Sequence, residues 1–227
     1  NSIAVDYDGH YVLSLRNFSE MCKINSTTGD IIWRFGGAKN QFAINDDVRM
    51  SYQHCTKPVP GKPDHYTVFD NGNTRTPQFS RAVEYKLDVA GRKADKVWEY
   101  RYPKANYKNI MGTTQRLENG NTFIDWSDWP PSLGCEVDAD NRLLFEIRVE
   151  GISSYRAYRF DWNGKMLRPY LLSENYGDAI RLIFNQFGDD QVAYYNIYLG
   201  QNNNALTRVD SSKTTFKDID IFALENN

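Results

Sequence analysis

Cysteine is scarce in this 227-residue chain, which has only Cys22, Cys55 and Cys135. Three widely separated cysteines do not make a zinc-binding set or a disulfide framework, and at least one of them must stay unpaired within the chain. The aspartate-containing segments Asp6-Tyr7-Asp8-Gly9 and Asp138-Ala139-Asp140 are explained as hairpin turns rather than as calcium loops. We therefore expect neither a bound metal nor a cofactor.

The chain also lacks a long apolar run and an excess of charge of one sign. No apolar stretch approaches the length of a transmembrane helix, so we expect no membrane span. The 27 basic and 29 acidic residues leave a net charge of -2. This balance gives no electrostatic reason to bind nucleic acid or an anionic membrane.

Helical periodicity is almost missing, whereas short alternating apolar runs separated by turn residues recur along the chain. Aromatic residues make up 14% of the sequence and include 15 tyrosines, a composition that favours sheets. Alternation with a period of two is the mark of a half-buried strand. The sequence therefore predicts an all-β protein.

Three segments share one internal pattern of four strands. The first predicts strands at 1–5, 11–15, 21–24 and 31–35. The second predicts strands starting at 52–54 and then at 66–69, 82–87 and 97–100. The third predicts strands at 112–117, 122–125, 135–137 and 143–147. An aromatic residue closes each unit, and Trp33, Trp98 and also Trp162 are expected to pack between units.

Repeats of four strands over about 40 to 50 residues are typical of propeller blades, which bury their faces by stacking on neighbours. A fourth unit is expected to begin at Ser153 and to break off near Gly164. Because closed propellers have about 4 to 8 blades, three and a half blades predict the C-terminal half of a larger ring. The chain opens on Asn1 without an initiator Met or a leader, which we interpret as a processed or excised piece.

The pattern changes after Pro169. Strands are predicted at 180–184, 193–199 and 216–221, separated by turns rich in Asn, Asp and Ser. They resemble the middle strands of a fibronectin type III or immunoglobulin-like sandwich. We expect a domain boundary near residue 168, with propeller blades at 1–168 and a sandwich segment at 169–227.

The hairpins predict which residues meet at one mouth of the propeller channel. The start of strand one lies beside the end of strand two in a hairpin, which places Asn1, His54 and Gly112 at the same mouth. The expected neighbours from strand two and from the next inner strand are Arg16, Asp70, Asn71, Asp125, Trp126, Tyr155 and Arg156. Arginine, asparagine and histidine beside aromatic rings suit an anionic aromatic ligand.

Each of these residues also has a structural interpretation. A lone histidine is most often a surface or core residue, and His10 and His65 lie beside hairpin turns. Asp70, Asn71 and Gly72 form a turn signal before anything else. Trp126 and Trp129, next to Pro130 and Pro131, are the candidates for an aryl-binding wall.

Several motifs resemble the arylsulfotransferases of the aryl-sulfate sulfotransferase type. These are six-bladed propellers that move sulfuryl groups between phenols. The resemblance covers residues 1 to about 164. It is carried by Asn1-Ser2-Ile3, Ser14-Leu15-Arg16, Lys23-Ile24, Gly29-Asp30-Ile31-Ile32-Trp33-Arg34-Phe35-Gly36-Gly37, Gln53-His54, Phe69-Asp70-Asn71-Gly72, Asn119-Gly120-Asn121 and Ser154-Tyr155-Arg156-Ala157-Tyr158-Arg159.

The resemblance implies catalytic roles for three residues. His54 falls on the nucleophilic histidine of the Gln-His motif, Asn1 falls on the asparagine of a His-x-Asn motif, and Arg16 follows strand two of that blade. The sequence departs from the family's common pattern in having Cys55 after the histidine and Asn17 after the arginine.

The implied reaction is transfer of a sulfuryl group from an aryl sulfate to a phenol through a sulfo-histidine, without a nucleotide. The implied partners are these small molecules, and the implied location is secreted, periplasmic or at the cell surface. The alternative is an extracellular propeller that binds glycans or anionic ligands without catalysis. Transfer that depends on His54 distinguishes the two.

Overall fold

The computed structural model is an all-β protein with two compact units, residues 1–159 and 160–227. It describes residues 1–45, 47, 49–103, 106–128, 130, 132–161, 171–184, 193–202 and 205–220. Within these residues the one helical element is a single 3-10 turn at Arg16–Phe18. The described residues include no helix that is long and apolar enough to cross a bilayer.

The first sheet confirms the first predicted unit. Its four antiparallel strands are adjacent in chain order, as expected where short turns join successive strands. They are β1 (Ser2–Val5), β2 (Tyr11–Leu15), β3 (Glu20–Ile24) and β4 (Ile31–Gly36).

The second sheet has one strand more than predicted. A short strand, β5 (Ala43–Asn45), pairs in parallel with the outer edge of the sheet. The other four are antiparallel neighbours. They are β6 (His54–Val59), β7 (Lys62–Asp70), β8 (Arg81–Asp88) and β9 (Lys93–Tyr100).

The third sheet again follows the predicted order. Its strands are β10 (Thr113–Arg116), β11 (Thr122–Asp125), β12 (Gly134–Val137) and β13 (Leu143–Ile147). The expected start of a fourth unit is different, because residues 153–161 form no strand. One bridge between Ser153 and Asp128 and side-chain bonds between Gln115 and Arg159 hold this segment instead.

The three sheets are joined by two apolar cores. The first core takes Val12, Met21, Trp33 and Phe35 from the first sheet and Tyr66, Val68, Val83 and Tyr85 from the second. The second core lies between the second and third sheets and includes Phe69, Tyr100, Ile124, Trp126 and Cys135. Each sheet therefore buries side chains against the next one along the chain, as the alternating apolar pattern requires. All three cysteines are free and buried.

The second unit contains two small antiparallel sheets. Strands β14 (Leu171–Tyr176), β15 (Ala179–Phe184) and β18 (Phe216–Asp220) form one, and β16 (Tyr195–Leu199) and β17 (Thr207–Ser212) form the other. Three of these strands match the predictions where the residues are described, and β14 and β17 are additional. The predicted boundary near residue 168, together with Trp162, lies outside the described residues.

Candidate functional site

His54 is the first residue of β6 and stands at an irregular point of the strand. It pairs with Phe69, but the next pair is Lys57 with Thr67, so β6 carries one extra residue between them. Cys55 adopts a left-handed φ of 50° within this bulge. Bulges bend a strand and redirect its side chains, and they are common next to functional sites. His54, at the start of this bulge, is 4% exposed.

Both ring nitrogens of His54 have partners. Nδ1 lies 2.7 Å from Oδ1 of Asn71, and Nε2 lies 3.1 Å from the backbone nitrogen of Met111. A backbone N–H can only donate, so Nε2 accepts that hydrogen bond and must carry the lone pair. The imidazole is therefore neutral, with its proton on Nδ1.

The surroundings keep the imidazole neutral. Burial, helped by the positive charges of Arg16 and Arg156, lowers the pKa of His54 from 6.5 to about 4, against the hydrogen bond to Asn71, which raises it. A buried imidazole beside two guanidinium groups avoids protonation because the charged form is poorly solvated and repelled. It stays a potential nucleophile or base well below neutral pH.

Asn1 and Gln53 bring the first and second sheets together beside His54. Nδ2 of Asn1 donates to the backbone oxygen of Gln53 over 2.9 Å. The buried amide of Gln53 donates in turn to Oγ of Ser14 and to the backbone oxygen of Glu20, at 3.1 and 2.9 Å. The Gln residue of the Gln-His motif thus fixes the neighbouring sheet, a role that its sequence did not indicate.

Arg16 lies at the end of β2 and reaches toward the loop that precedes β10. Its Nη2 donates to the backbone oxygen of Asn109 over 2.9 Å, and its Nη1 donates to Oδ1 of Asn17 over 3.1 Å. The guanidinium also lies 4.9 Å from the ring centre of Tyr52. Its Nε is buried without a hydrogen-bond partner, but each exposed terminal nitrogen has a second N–H that is available to an anion.

The loop at 108–112 is shaped by a glycine that cannot be replaced without strain. Gly112 has φ +101°, and a Cβ there would lie 2.5 Å from Cδ1 of Phe69. Met111, just before it, is also left-handed with φ 63°. This backbone path aims the Met111 N–H at His54. The sequence predicted Gly112 at the mouth of the channel, but no sequence motif indicates that the backbone N–H of Met111 bonds His54.

Tyr155 lies beside the imidazole of His54. Its ring is perpendicular to that of His54, with centres 6.4 Å apart, and it is 53% exposed. The segment is tied down because Ser154 bonds the backbone oxygen of Ser127 and Oδ2 of Asp125. Burial raises the pKa of Asp125 to about 6, against hydrogen bonds that lower it.

Arg156 completes the group around His54. Its Nη2 donates to the backbone oxygen of Asn1, so the segment after β13 reaches the start of β1. The structure thus brings together His54, Arg16, Asn1, Asn71, Tyr155 and Arg156, all expected at one mouth.

Two other expected site residues belong to the interior instead. Asp70 is fully buried, and its carboxylate accepts hydrogen bonds from the Ser51 N–H, from Arg75 and from Arg81. Trp126 has no exposed surface and packs against Phe69, while its Nε1 donates to Sγ of Cys135. Neither side chain offers a surface to a ligand. Trp129 lies outside the described residues.

These features define an all-β protein whose first unit is built from successive antiparallel sheets. A neutral histidine, His54, stands at the start of β6. The family model described as Arylsulfotransferase (ASST) matches residues 1–132. The chain belongs to this family. The matched region includes His54, Arg16, Asn1 and Asn71, and it ends before Tyr155 and Arg156.

The other comparisons add little to this assignment. Among solved structures, a protein from Lactobacillus plantarum determined by the Northeast Structural Genomics Consortium matches with 10% sequence identity and a TM-score of 0.38. The match covers 97% of this chain and 58% of that protein. No curated protein matches the chain significantly.

Proposed function

We propose that the protein transfers a sulfuryl group from an aryl sulfate to a phenolic acceptor, without a nucleotide, and that His54 carries the group between them. The observation that carries this proposal is the neutral imidazole of His54, with its lone pair on Nε2, close to Arg16 and Arg156. A nucleophile must keep a lone pair, and an anionic sulfuryl group needs cations nearby. Membership of the family supports the same reaction.

The first step forms a bond between Nε2 of His54 and the sulfur of the donor. The bond from sulfur to the aryl oxygen breaks, and its electron pair leaves on the phenolate. In the second step an acceptor phenol attacks sulfur, the nitrogen–sulfur pair returns to Nε2, and the acceptor's proton passes to the departed phenolate. Atoms and charge balance without any cofactor.

The cationic groups act on the sulfuryl oxygens. Sulfuryl transfer resembles phosphoryl transfer in that charge is spread over the equatorial oxygens in a loose transition state, so positioned donors contribute most of the catalysis. We assign Arg16 to this role because each of its exposed terminal nitrogens keeps a second N–H. Asn1 keeps a second amide N–H besides the one that bonds Gln53, and Tyr155 offers an exposed ring to the aryl group.

The donor must replace Met111 at Nε2. His54 is 4% exposed, and its lone pair is held by the Met111 N–H. Attack on sulfur therefore requires the Met111 N–H to turn away from the imidazole.

The same proposal covers the architecture. We take the three sheets of the first unit as three blades in the C-terminal half of a six-bladed propeller. The second unit is proposed to be a fibronectin type III-like sandwich that begins after residue 168. Secretion, to the periplasm or the cell surface, fits an enzyme that uses no nucleotide donor.

The test is incubation of the full-length protein with an aryl sulfate and a phenol acceptor, followed by chromatography of both phenols. We expect transfer in the wild type and none in His54→Ala. The matched control is His10→Ala, because His10 lies at a hairpin turn and bonds Ser26. With donor alone, mass spectrometry should find a sulfuryl increment on the peptide that contains His54. Binding of the aryl sulfate without any transfer would instead favour the non-catalytic platform.

A further inference from the structure

We propose that Asn71 is a positioning residue that fixes the tautomer of His54, so that Nε2 is the atom that accepts the sulfuryl group. This inference rests on the proposed function. It names the atom of His54 that reacts and the residue that positions the imidazole. It also changes the role of Asn71, which was expected from its sequence position to bind substrate.

Asn71 has no free group with which to bind a substrate. It is fully buried. Its amide nitrogen donates to the backbone oxygens of Lys108 and Met111, at 2.8 and 3.0 Å, which uses both N–H groups. Its Oδ1 faces His54. An asparagine with these bonds can act on the reaction only through the histidine.

The partners of Asn71 determine which way its amide points. Lys108 and Met111 present backbone oxygens, which only accept hydrogen bonds, so the NH₂ group must face them. The carbonyl oxygen then faces Nδ1 of His54, at 2.7 Å. A carbonyl oxygen has no proton to give, and therefore Nδ1 must be the donor.

The Met111 amide gives the same answer from the opposite side of the ring. It donates to Nε2 over 3.1 Å, which requires Nε2 to be unprotonated. Two contacts from two different groups thus select one tautomer. The Met111 N–H must turn away before the reaction begins, whereas Asn71 can keep its hydrogen bonds to Nδ1 and to the Lys108 oxygen and hold the ring while Nε2 attacks.

A neutral acceptor suits this position better than a carboxylate. As Nε2 bonds to sulfur, positive charge develops on the ring, and the hydrogen bond from Nδ1 to Asn71 strengthens. A carboxylate would stabilise the same charge but would also favour protonation of the free histidine, which removes the lone pair. Asn71 supports the charge that forms in the reaction without protonating the nucleophile beforehand.

The tautomer can be observed directly by ¹⁵N NMR of the histidine-labelled full-length protein. The chain has three histidines, His10, His54 and His65, and a His54→Gln spectrum assigns the signal of interest. We expect His54 to carry its proton on Nδ1 and to have an unprotonated Nε2 at pH 7. A proton on Nε2, or an equal mixture of tautomers, overturns the proposal whether or not the enzyme turns over.

Two variants separate positioning from a structural role. Asn71→Asp keeps an acceptor for Nδ1 but loses both N–H donors, whereas Asn71→Ala loses all three bonds. We expect Asn71→Asp to keep the Nδ1–H tautomer and to shift the acidic limb of the kcat profile to higher pH. Asn71→Ala also releases the Met111 oxygen, which weakens the second contact that selects the tautomer. It should therefore mix the tautomers and lower kcat about 10- to 100-fold, the effect of a hydrogen bond to a charged group, with little change in KM.

The matched control is Asn73→Ala. Asn73 also ties the same loop, because its Nδ2 donates to the backbone oxygen of Asn109 over 3.0 Å, but it does not touch His54. We expect it to keep kcat within about threefold, as for a surface change. If Asn71→Asp and Asn71→Ala give the same spectrum and the same pH limb, Asn71 serves only to hold the loop and the proposal is wrong. A wild type with the expected tautomer but no transfer would overturn the proposed function alone.

Discussion

The backbone N–H of Met111 donates to Nε2 of His54. The loop that leads into the third sheet therefore covers the proposed nucleophilic atom, which belongs to the second sheet. The glycine after Met111 makes this possible. Gly112 is left-handed and lies directly against the ring of Phe69, where a side chain has no room.

Substitution of this glycine should therefore be costly. We expect Gly112→Ala to destabilise the protein more than Gly120→Ala, measured by chemical denaturation. Gly120 has a similar φ of +87°, but a Cβ there would meet nothing within 4 Å, so it reports only the backbone strain of about 1–2 kcal/mol. The clash at Gly112 should add about 1–3 kcal/mol. Equal losses in the two variants would show that the ring of Phe69 moves aside freely.

Arg16 is expected to act on the transition state. Arg16→Ala should lower kcat about 100-fold, the effect of removing one preorganised donor. Arg16→Lys should recover only part of the loss, since an ammonium group keeps the charge but not the planar set of donors. Arg148→Ala is the control, because the exposed side chain of Arg148 pairs with Glu146. Steady-state kinetics with an aryl sulfate measures all three, and full activity of Arg16→Ala contradicts the assignment.

His54 should make stability depend on pH. Its pKa is about 4 in the folded protein and 6.5 in the reference state, so the unfolded chain binds more protons between these values. Stability therefore rises with pH across this window and is lost as the pH falls from 6.5 to about 4. Urea denaturation at several pH values should show a shallower dependence in His54→Gln than in the wild type. An unchanged slope would mean that the imidazole is not buried in the folded protein.

Asp125 should make stability depend on pH with the opposite sign. Its pKa is raised to about 6 from 3.8, so the folded protein holds a proton that the unfolded chain has lost. This contribution is present below about pH 4 and is lost as the pH rises through 6. Asp125→Asn should remove it, so that the stability of the variant relative to the wild type increases from pH 4 to pH 7. A constant difference over that range contradicts the raised pKa.

Trp126 provides a test of core packing against substrate binding. The indole is fully buried beside Phe69, Tyr100 and Tyr102. Trp126→Ala should lower the free energy of unfolding by about 3–5 kcal/mol. Trp126→Phe should lose less and keep the KM for the aryl sulfate, since the side chain does not reach the ligand. A large rise in KM at unchanged stability would show that Trp126 contributes to substrate binding.

In the three sheets of the first unit the sequence predicted the strands well, because their alternating residues are set by one buried face. It missed β5, since three residues at 43–45 are too short to show alternation. Counting from hairpin turns predicted that His54, Asn1 and Arg16 would lie together, because register in a hairpin follows from the chain itself.

The positions of the aromatic and acidic residues were harder to predict. Trp126 follows the last residue of β11, and the alternation of the strand does not predict whether a side chain beyond its end points inward or outward. Asp70 was expected at the mouth, but two arginines, Arg75 and Arg81, bind its carboxylate in the interior. Such partners depend on tertiary packing, as does the Met111 amide, which no residue type encodes.

Phe69 pairs with His54 across the hairpin, faces Trp126 in the second core and fills the space against Gly112. One residue thus links the strand that carries His54, the second core and the loop that covers the imidazole. Because the left-handed backbone at Gly112 favours glycine by itself, divergent members of the family are expected to keep this glycine and to fill the space beside it with a ring of similar size.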